Sequence, residues 1–207
     1  MKTKILVLSG IFGGLAFLLT FLEFPIFPVL PFLKFDASDS LVIYITMFFG
    51  YIPGFLTLTV KSILFLFKSG DGGIIGIFMN FIAGIVFISI LYKLKSKLNL
   101  WIVFSIASTA VGITMCFVNN YISIPVYTNM KTAAFVEMLG LTSVQFFSLV
   151  IAFNVIKFMA DSIIAYLLYK KTKSLIKEWK EEQKWLQKWH KNVILQKHQI
   201  LLENGML

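Results

Sequence analysis

Long apolar runs separated by short polar stretches dominate the chain up to about position 170. Six runs are long enough to cross, or nearly cross, a hydrocarbon core about 30 Å thick. They are Ile5–Leu22, Ser40–Ile52, Gly54–Phe67, Ile74–Tyr92, Leu100–Val118 and Ser143–Tyr169. This pattern predicts an all-α integral membrane protein whose core is a six-transmembrane-helix bundle.

The second and third runs are short, so an alternative joins Ser40 to Val60 in one helix with a kink at Pro53-Gly54. That alternative gives five spans and places one lysine-rich end of the chain outside, against the positive-inside bias. Six spans with both termini in the cytoplasm keep the lysines inside. These are Lys2, Lys4, Lys93, Lys95, Lys97 and those of the C-terminal tail. The charge pattern therefore favours six spans.

Composition excludes a soluble domain, because 58% of the residues are hydrophobic, 14% are charged and the mean hydropathy is +0.84. The net charge is +9, and lysine supplies all of the positive charges, since the sequence contains no arginine. Without arginine, a nucleic-acid-binding surface is disfavoured, since the guanidinium fork is the usual partner of phosphate. The single cysteine, Cys116, excludes an intrachain disulfide.

A basic cytoplasmic tail, residues 173–207, is expected to follow a membrane domain formed by residues 1–172. Its apolar positions, Ile176, Trp179, Leu186, Trp189 and Val193, recur at helical spacing among lysines. This spacing predicts an amphipathic helix, either on an anionic inner leaflet or as a solvated extension of the last span, and part of it is also compatible with disorder.

Three outer loops are expected on the other side: Glu23–Asp39, the tight glycine-rich turn Lys68–Gly73, and Asn119–Thr142. The first has proline at positions 25, 28 and 31, a spacing that matches the turn of polyproline II. We expect it to form either a segment in the headgroup region or a lid over a ligand cavity.

Polar residues at membrane depth need a reason, because a charge there costs about 2.5–3.5 kcal/mol even on lenient scales. Asn154, Lys157 and Asp161 share one helical face, and Lys61 and Asn80 lie about two turns from the outer end of their spans. Each could have a purely structural role. Lys157 and Asp161 could form an ion pair, and Lys61 could snorkel toward the outer interface. Asn80 and Asn154 could form hydrogen bonds with neighbouring helices. We expect them instead to converge on a cavity open to the outside. The candidate ligand-binding residues are Phe35, Asp36, Lys61, Asn80, Asn119, Asn120, Tyr121, Asn154, Lys157 and Asp161.

No catalytic set or metal motif is visible, since both histidines lie in the tail and no Walker-type glycine loop occurs. We expect no enzyme and no metal, and uphill transport would need an ATPase on another chain. Small residues at Ser9, Gly10, Gly13 and Gly14 in the first span would let another helix approach closely. That helix could belong to a partner subunit or to the same bundle.

Several stretches, taken in order and spacing, resemble the riboflavin-specific substrate-binding (S) components of bacterial energy-coupling factor (ECF) transporters. They are Leu33–Asp39, Phe49–Gly54, Val60–Lys61, Asn80–Gly84, Phe153–Lys157 and Asp161–Ser162. The resemblance runs from Lys2 to about Lys171 and leaves out the tail.

This resemblance implies a six-helix bundle of the bacterial cell membrane that binds riboflavin from outside. It implies as partners a transmembrane coupling subunit and two cytoplasmic ATPases, with riboflavin as transported ligand and no cofactor. Asn154, Lys157 and either Asn119 or Asn120 would contact the vitamin. Either Gly10 with Gly14 or Ser9 with Gly13 would meet the coupling subunit. Another vitamin such as thiamine or biotin, a proton-coupled secondary transporter using Lys157 and Asp161, and a membrane scaffold remain alternatives.

Overall fold

A computed structural model describes residues 2–68 and 73–203, so most of the expected Lys68–Gly73 turn and the last four residues lie outside the described residues. The chain divides into two units, Met1–Leu167 and Leu168–Leu207. The first unit contains the bundle and all of the site below. The second continues the last helix, and its boundary falls slightly before residue 173, where the sequence suggests the tail begins.

Helices make up most of the described structure. In chain order they are α1 (Lys2–Leu19), α2 (Ser38–Phe49), α3 (Tyr51–Phe65), α4 (Gly73–Leu94), α5 (Leu100–Val118), a π-helical turn (Asn119–Ser123), α6 (Ile124–Thr128), α7 (Thr132–Met138) and α8 (Ser143–Glu203). Two two-residue strands, β1 (Phe24–Pro25) and β2 (Lys34–Phe35), pair antiparallel between α1 and α2.

Three helical stretches of the described chain are long and apolar enough to cross a membrane by length and composition: Gly73–Leu94, Leu100–Thr128 and Ser143–Leu175. Three shorter apolar helices accompany them: Thr3–Leu19, Ser38–Phe49 and Tyr51–Phe65. The fold is therefore that of a helical membrane protein.

Close helix contacts in the first unit hold the bundle together. The helix α1 packs on α2 and α3, and α4 packs on α2, α3 and α5. The first half of α8 joins α4 and α5, because Phe158 stacks on Phe87 at 5.0 Å and a Cβ at Gly112 would lie 3.2 Å from the Ile151 Cα. Small side chains and flat rings thus allow the close approach.

The break between the second and third spans lies at Gly50, not at Pro53-Gly54 as the sequence suggests. Gly50 takes φ 94°, a left-handed conformation that favours glycine and ends α2. Pro53 lies in the first turn of α3, where a missing N–H costs no helical hydrogen bond. Lys95 donates to the carbonyls of Thr46 and Met47 and so caps the end of α2.

The loop from residue 20 to residue 37 is a turn-rich hairpin rather than the expected polyproline helix. Backbone hydrogen bonds from Leu30 to Phe27 and from Leu33 to Leu30 close successive turns between β1 and β2. The side chain of Leu30 is fully buried, which draws the loop onto the bundle. Tertiary packing therefore overrides the proline spacing.

Candidate functional site

A cavity of about 570 Å³ lies at the end of the bundle where α1, α3 and α5 end and α4 and α8 begin. The hairpin loop forms part of its wall, and the π-helical turn with α6 and α7 forms another part. Most of the wall is apolar. The lining residues are Glu23, Pro31, Phe32, Leu33, Lys34, Asp36, Phe65, Gly76, Met79, Asn80, Ala83, Met115, Asn119, Ser123, Ile124, Tyr127, Thr128, Phe135, Phe153, Asn154, Lys157 and Phe158.

Lys157 is the charged group of the α8 wall, and it ties that helix to the hairpin loop. Its ammonium donates to the Asp36 carbonyl oxygen and to Asp36 Oδ2, both at 3.1 Å. Oxygens of Asp39 and Asp161 lie 3.2 Å and 3.7 Å away, but neither oxygen accepts a hydrogen bond. Among the described residues, Lys157 thus donates two hydrogen bonds, both to Asp36, and forms ion pairs with Asp39 and Asp161.

Asp36 carries the loop side of this contact. Burial raises the pKa of its carboxyl group, but the positive charges of Lys157 and Lys61 and the hydrogen bonds from Ser38 outweigh burial and hold that pKa well below its usual value. The Asp36 carboxylate thus stays ionised at neutral pH and keeps the loop attached to α8.

Asp39 links this contact to a second buried lysine. Its Oδ1 accepts from Lys61 at 2.6 Å while its Oδ2 faces Lys157. Lys61 also donates to Ser38 Oγ and to Asn80 Oδ1, each at 3.1 Å. A continuous polar chain therefore runs from Asn80 on the cavity wall through Lys61 and Asp39 to Lys157.

Two further amides on the wall are fixed by their own helices. Asn119 Nδ2 donates to the Met115 carbonyl and Asn154 Nδ2 to the Val150 carbonyl, both at 2.8 Å. These bonds to the preceding turn leave each amide oxygen without a donor among the described residues. The wall thus offers amide oxygens as well as an ammonium.

The structure brings five of the ten predicted ligand-binding residues onto the cavity wall: Asp36, Asn80, Asn119, Asn154 and Lys157. Three others support the wall from outside the lining. The Phe35 ring lies 5.7 Å from the Lys157 ammonium, and Lys61 and Asp161 are buried behind Asn80 and Lys157.

The remaining two predicted residues, Tyr121 and Asn120, do not line the cavity. Tyr121 is 72% exposed and does not line the cavity. Asn120 offers its backbone carbonyl to the Thr132 hydroxyl at 2.8 Å. Of the two asparagines between which the sequence could not choose, Asn119 is therefore the one on the wall.

Sequence reasoning missed two parts of the site. Asp39 is not among the predicted residues, although its place beside Lys61 and Lys157 could have been sought as the counter-charge that two buried lysines require. Ser123, Ile124, Tyr127, Thr128 and Phe135 also line the cavity, because the segment expected to be a loop folds into the π-helical turn, α6 and α7. The apolar residues of that segment were the available signal.

The small residues of α1 divide between two faces. Ser9 donates to the Pro53 carbonyl at 3.2 Å, and a Cβ at Gly13 would lie 2.6 Å from the Val60 side chain, so this pair packs on α3. At Gly10 and Gly14 nothing lies within 4 Å of an added Cβ. Ser9 and Gly13 therefore pack within the bundle, and Gly10 and Gly14 face outward.

No cluster of three or more histidine, cysteine, aspartate or glutamate side chains suited to a metal ion occurs in residues 2–68 and 73–203. The polar groups of the cavity wall are amides, carboxylates, ammoniums and hydroxyls, which are hydrogen-bond donors and acceptors suited to an organic ligand. Fold and cavity together define a helical membrane protein with a large, mostly apolar cavity at one end of its bundle.

Comparison with known proteins identifies the family. The model of the family described as "ECF transporter, substrate-specific component" matches residues 4–169. The chain belongs to this family.

Two relatives and one solved structure support the assignment over most of the chain. The riboflavin transporter RibU of Staphylococcus aureus is 31% identical over 181 residues, covering 85% of this chain and 94% of the relative. The riboflavin transporter FmnP of Bacillus subtilis is 30% identical over 191 residues, covering 89% and 97%. A solved S component of a bacterial ECF transporter has a TM-score of 0.71 and 31% identity, covering 86% of this chain and 99% of that one.

Proposed function

We propose that this chain binds riboflavin at the outer face of the bacterial cell membrane and delivers it inward as the S component of an ECF transporter. The cavity carries this proposal. Riboflavin has a flat apolar ring system, a pyrimidine edge that forms hydrogen bonds, and a polyol chain. A 570 Å³ space with phenylalanine and methionine walls and an edge of amides and an ammonium suits all three parts.

The relatives support the choice of cargo. Two proteins that align over more than four fifths of this chain are named riboflavin transporters. A thiamine- or biotin-specific S component would share the fold, but no such relative supports it here. The polar residues on the wall that we assign to the ligand are Asn80, Asn119, Asn154 and Lys157, with Asp36 and the hairpin loop covering them.

The topology that fits this function has six spans, with both termini in the cytoplasm. The three short helices α1, α2 and α3 would then cross beside the three long ones, and the cavity would open outward. Lys95, which caps α2, would lie at the opposite, cytoplasmic end together with Lys93 and Lys97. We assign residues 1–172 to the membrane domain and residues 173–207 to a basic cytoplasmic tail.

The test of the cargo is the absorption spectrum of the purified protein, followed by a fluorescence titration. We expect flavin to copurify, and riboflavin added to ligand-free protein to be quenched on binding beside aromatic side chains. Thiamine and biotin in excess serve as competitors and should not displace it. Saturable binding of either competitor, without riboflavin binding, would reject the proposed cargo.

Uphill transport requires the partner subunits, because no nucleotide-binding motif occurs in the sequence. We propose that the outward pair Gly10 and Gly14 forms the contact with the coupling subunit, since a helix can approach closely there. Leu6, Val7, Ile11 and Leu18 surround the pair as exposed apolar side chains.

The test replaces both outward glycines by leucine. Gly10→Leu with Gly14→Leu should preserve riboflavin binding and abolish copurification with the coupling subunit. Gly13→Leu is the contrasting variant, because its side chain would collide with Val60 and should disturb folding itself. Copurification and ATP-driven uptake that survive the double substitution would remove this face from the interface.

A further inference from the structure

A buried lysine orients one amide of the cavity wall. The Lys61 side chain is 2% exposed, and its ammonium donates to Ser38 Oγ, Asp39 Oδ1 and Asn80 Oδ1. An ammonium has three protons and no acceptor, so the atom of Asn80 that faces it must be the amide oxygen. Chemistry alone therefore excludes the flipped amide.

With its oxygen bound to Lys61, Asn80 turns its NH₂ group away from that lysine. Among the described residues nothing accepts a hydrogen bond from Asn80 Nδ2, while the residue itself lines the cavity. Its two N–H groups are thus left for whatever occupies the cavity.

Asn119 and Asn154, the other two asparagines of the cavity wall, are held in the opposite orientation, through the nitrogen of the amide rather than its oxygen. Nδ2 of Asn119 and of Asn154 donates to a backbone carbonyl, which can only accept. Their oxygens remain without a donor among the described residues. The three asparagines are therefore distinguishable: Asn80 is held as a donor, and Asn119 and Asn154 have a free acceptor.

Asp39 completes the arrangement. Its carboxylate lies 2.6 Å from Lys61 and compensates the buried ammonium, without which a lysine at this depth would be costly. Because its second oxygen faces Lys157 at 3.2 Å, the same carboxylate also fixes the distance between the two lysines.

From this geometry we infer that Lys61 and Asp39 are positioning residues, and that Asn80 is a specificity-determining donor that reads an acceptor atom of the ligand's ring system. The inference rests on the proposed function. A flavin ring carries two carbonyl oxygens and unprotonated ring nitrogens but only one N–H group. A fixed donor on the wall selects for such an acceptor-rich ring, and the amide oxygens suit the N–H and the hydroxyl groups.

The decisive variant is Asn80→Asp. It keeps the shape of the side chain and keeps an oxygen on Lys61, but it replaces the NH₂ group that faces the cavity by a second oxygen. An acceptor would then face an acceptor, so riboflavin affinity should fall by about tenfold to a hundredfold. If the amide oxygen faced the ligand instead, Asn80→Asp would retain that contact and the affinity.

The experiment titrates purified protein with riboflavin and with lumiflavin, which keeps the ring but has a methyl group in place of the ribityl chain. The fold-loss for Asn80→Asp should be the same for both ligands. Asn99→Asp is the matched control, because Asn99 caps α5 with its oxygen and an aspartate does the same. Its affinity should be unchanged.

A second variant tests the positioning role. Lys61→Met should weaken binding by about threefold to tenfold, and Asn80→Leu should cost less in that background than in the wild type, because the freed amide is no longer oriented. If Lys61→Met does not fold, Asn80→Asp and Asn80→Leu in the wild-type background decide the question.

The outcomes separate the two claims. Wild-type affinity in Asn80→Asp, or a loss seen with riboflavin but not with lumiflavin, overturns the inference while riboflavin binding stands. A wild-type protein that binds neither ligand rejects the proposed function, and the inference with it. Equal losses for both ligands, with Asn99→Asp unaffected, support the donor assignment.

Discussion

Lys61 and Lys157 differ in how many hydrogen bonds their ammonium groups donate within the protein. Both lysines are buried, at 1% and 6% exposure, and both lie beside Asp39. The Lys61 ammonium donates three hydrogen bonds, to Ser38, Asp39 and Asn80. Lys157 donates twice to Asp36, and its other two carboxylate neighbours accept no hydrogen bond from it. Burial is therefore similar for the two lysines, and they differ in that Lys157 lines the cavity whereas Lys61 does not.

The first test of this difference is Lys61→Met, for which we expect the largest effect, a decrease in the free energy of unfolding. Removing one partner of a buried ion pair leaves Asp39 uncompensated on that side and should cost about 3–5 kcal/mol. Thermal unfolding in detergent measures it. Because Asp39 is then the destabilising group, Lys61→Met combined with Asp39→Asn should be more stable than Lys61→Met alone. A single variant as stable as the wild type would show that the pair is dispensable.

The second is Lys157→Met, which keeps the length of the side chain and removes the charge. A charge-assisted hydrogen bond contributes about 1.5–3 kcal/mol, so riboflavin affinity should fall by roughly tenfold to a hundredfold. The loss should exceed that of Lys61→Met, measured by titration of folded, monodisperse protein. Wild-type affinity in Lys157→Met would assign Lys157 to a structural ion pair and move the search to Asn80.

The third, Asp161→Asn, should have a smaller effect. The Asp161 carboxylate lies 3.7 Å from Lys157, farther than that of Asp36, and neither of its oxygens accepts a hydrogen bond. Asp161 therefore lies behind Lys157 without a hydrogen bond to it. We expect riboflavin affinity to fall by less than about fivefold, or roughly 1 kcal/mol. A loss as large as that of Lys157→Met would mean that Asp161 acts on the ligand itself.

The sequence was sufficient for those cavity-wall residues whose positions follow from helical geometry. Asn154 and Lys157 are three residues apart on α8, and a helix must place them on one face. A charge at that depth must turn inward, so the spacing of polar residues alone predicts the cavity wall on α8.

Other parts of the site depend on packing that no local pattern encodes. Whether Ser9 with Gly13 or Gly10 with Gly14 meets α3 is decided by the rotation of α1 about its axis. The choice of Asn119 over Asn120 depends on the rotation of α5 about its axis, since Asn119 lies one turn beyond Met115 on the same wall of the cavity. The link between Lys61 and Lys157 spans three elements, and only the fold brings Asp39 between them.

The smallest effect we expect is that of pH on the loop contact to Lys157. The folded-state pKa of Asp36 lies below its usual value of about 3.9. For such a group the stabilisation is fully present above the unfolded pKa and is lost only as the pH falls through the lower folded value. Between pH 6 and pH 8 the Asp36 carboxylate therefore stays ionised and the loop stays attached, so riboflavin affinity should be constant. Titrations at three pH values in this window measure it, with Asp36→Asn as the reference for a loop that has lost its charge. A wild-type affinity that drifts toward the Asp36→Asn value as the pH falls from 8 to 6 would show that this carboxylate takes up a proton in the window, and that Lys157 is less firmly paired than the structure indicates.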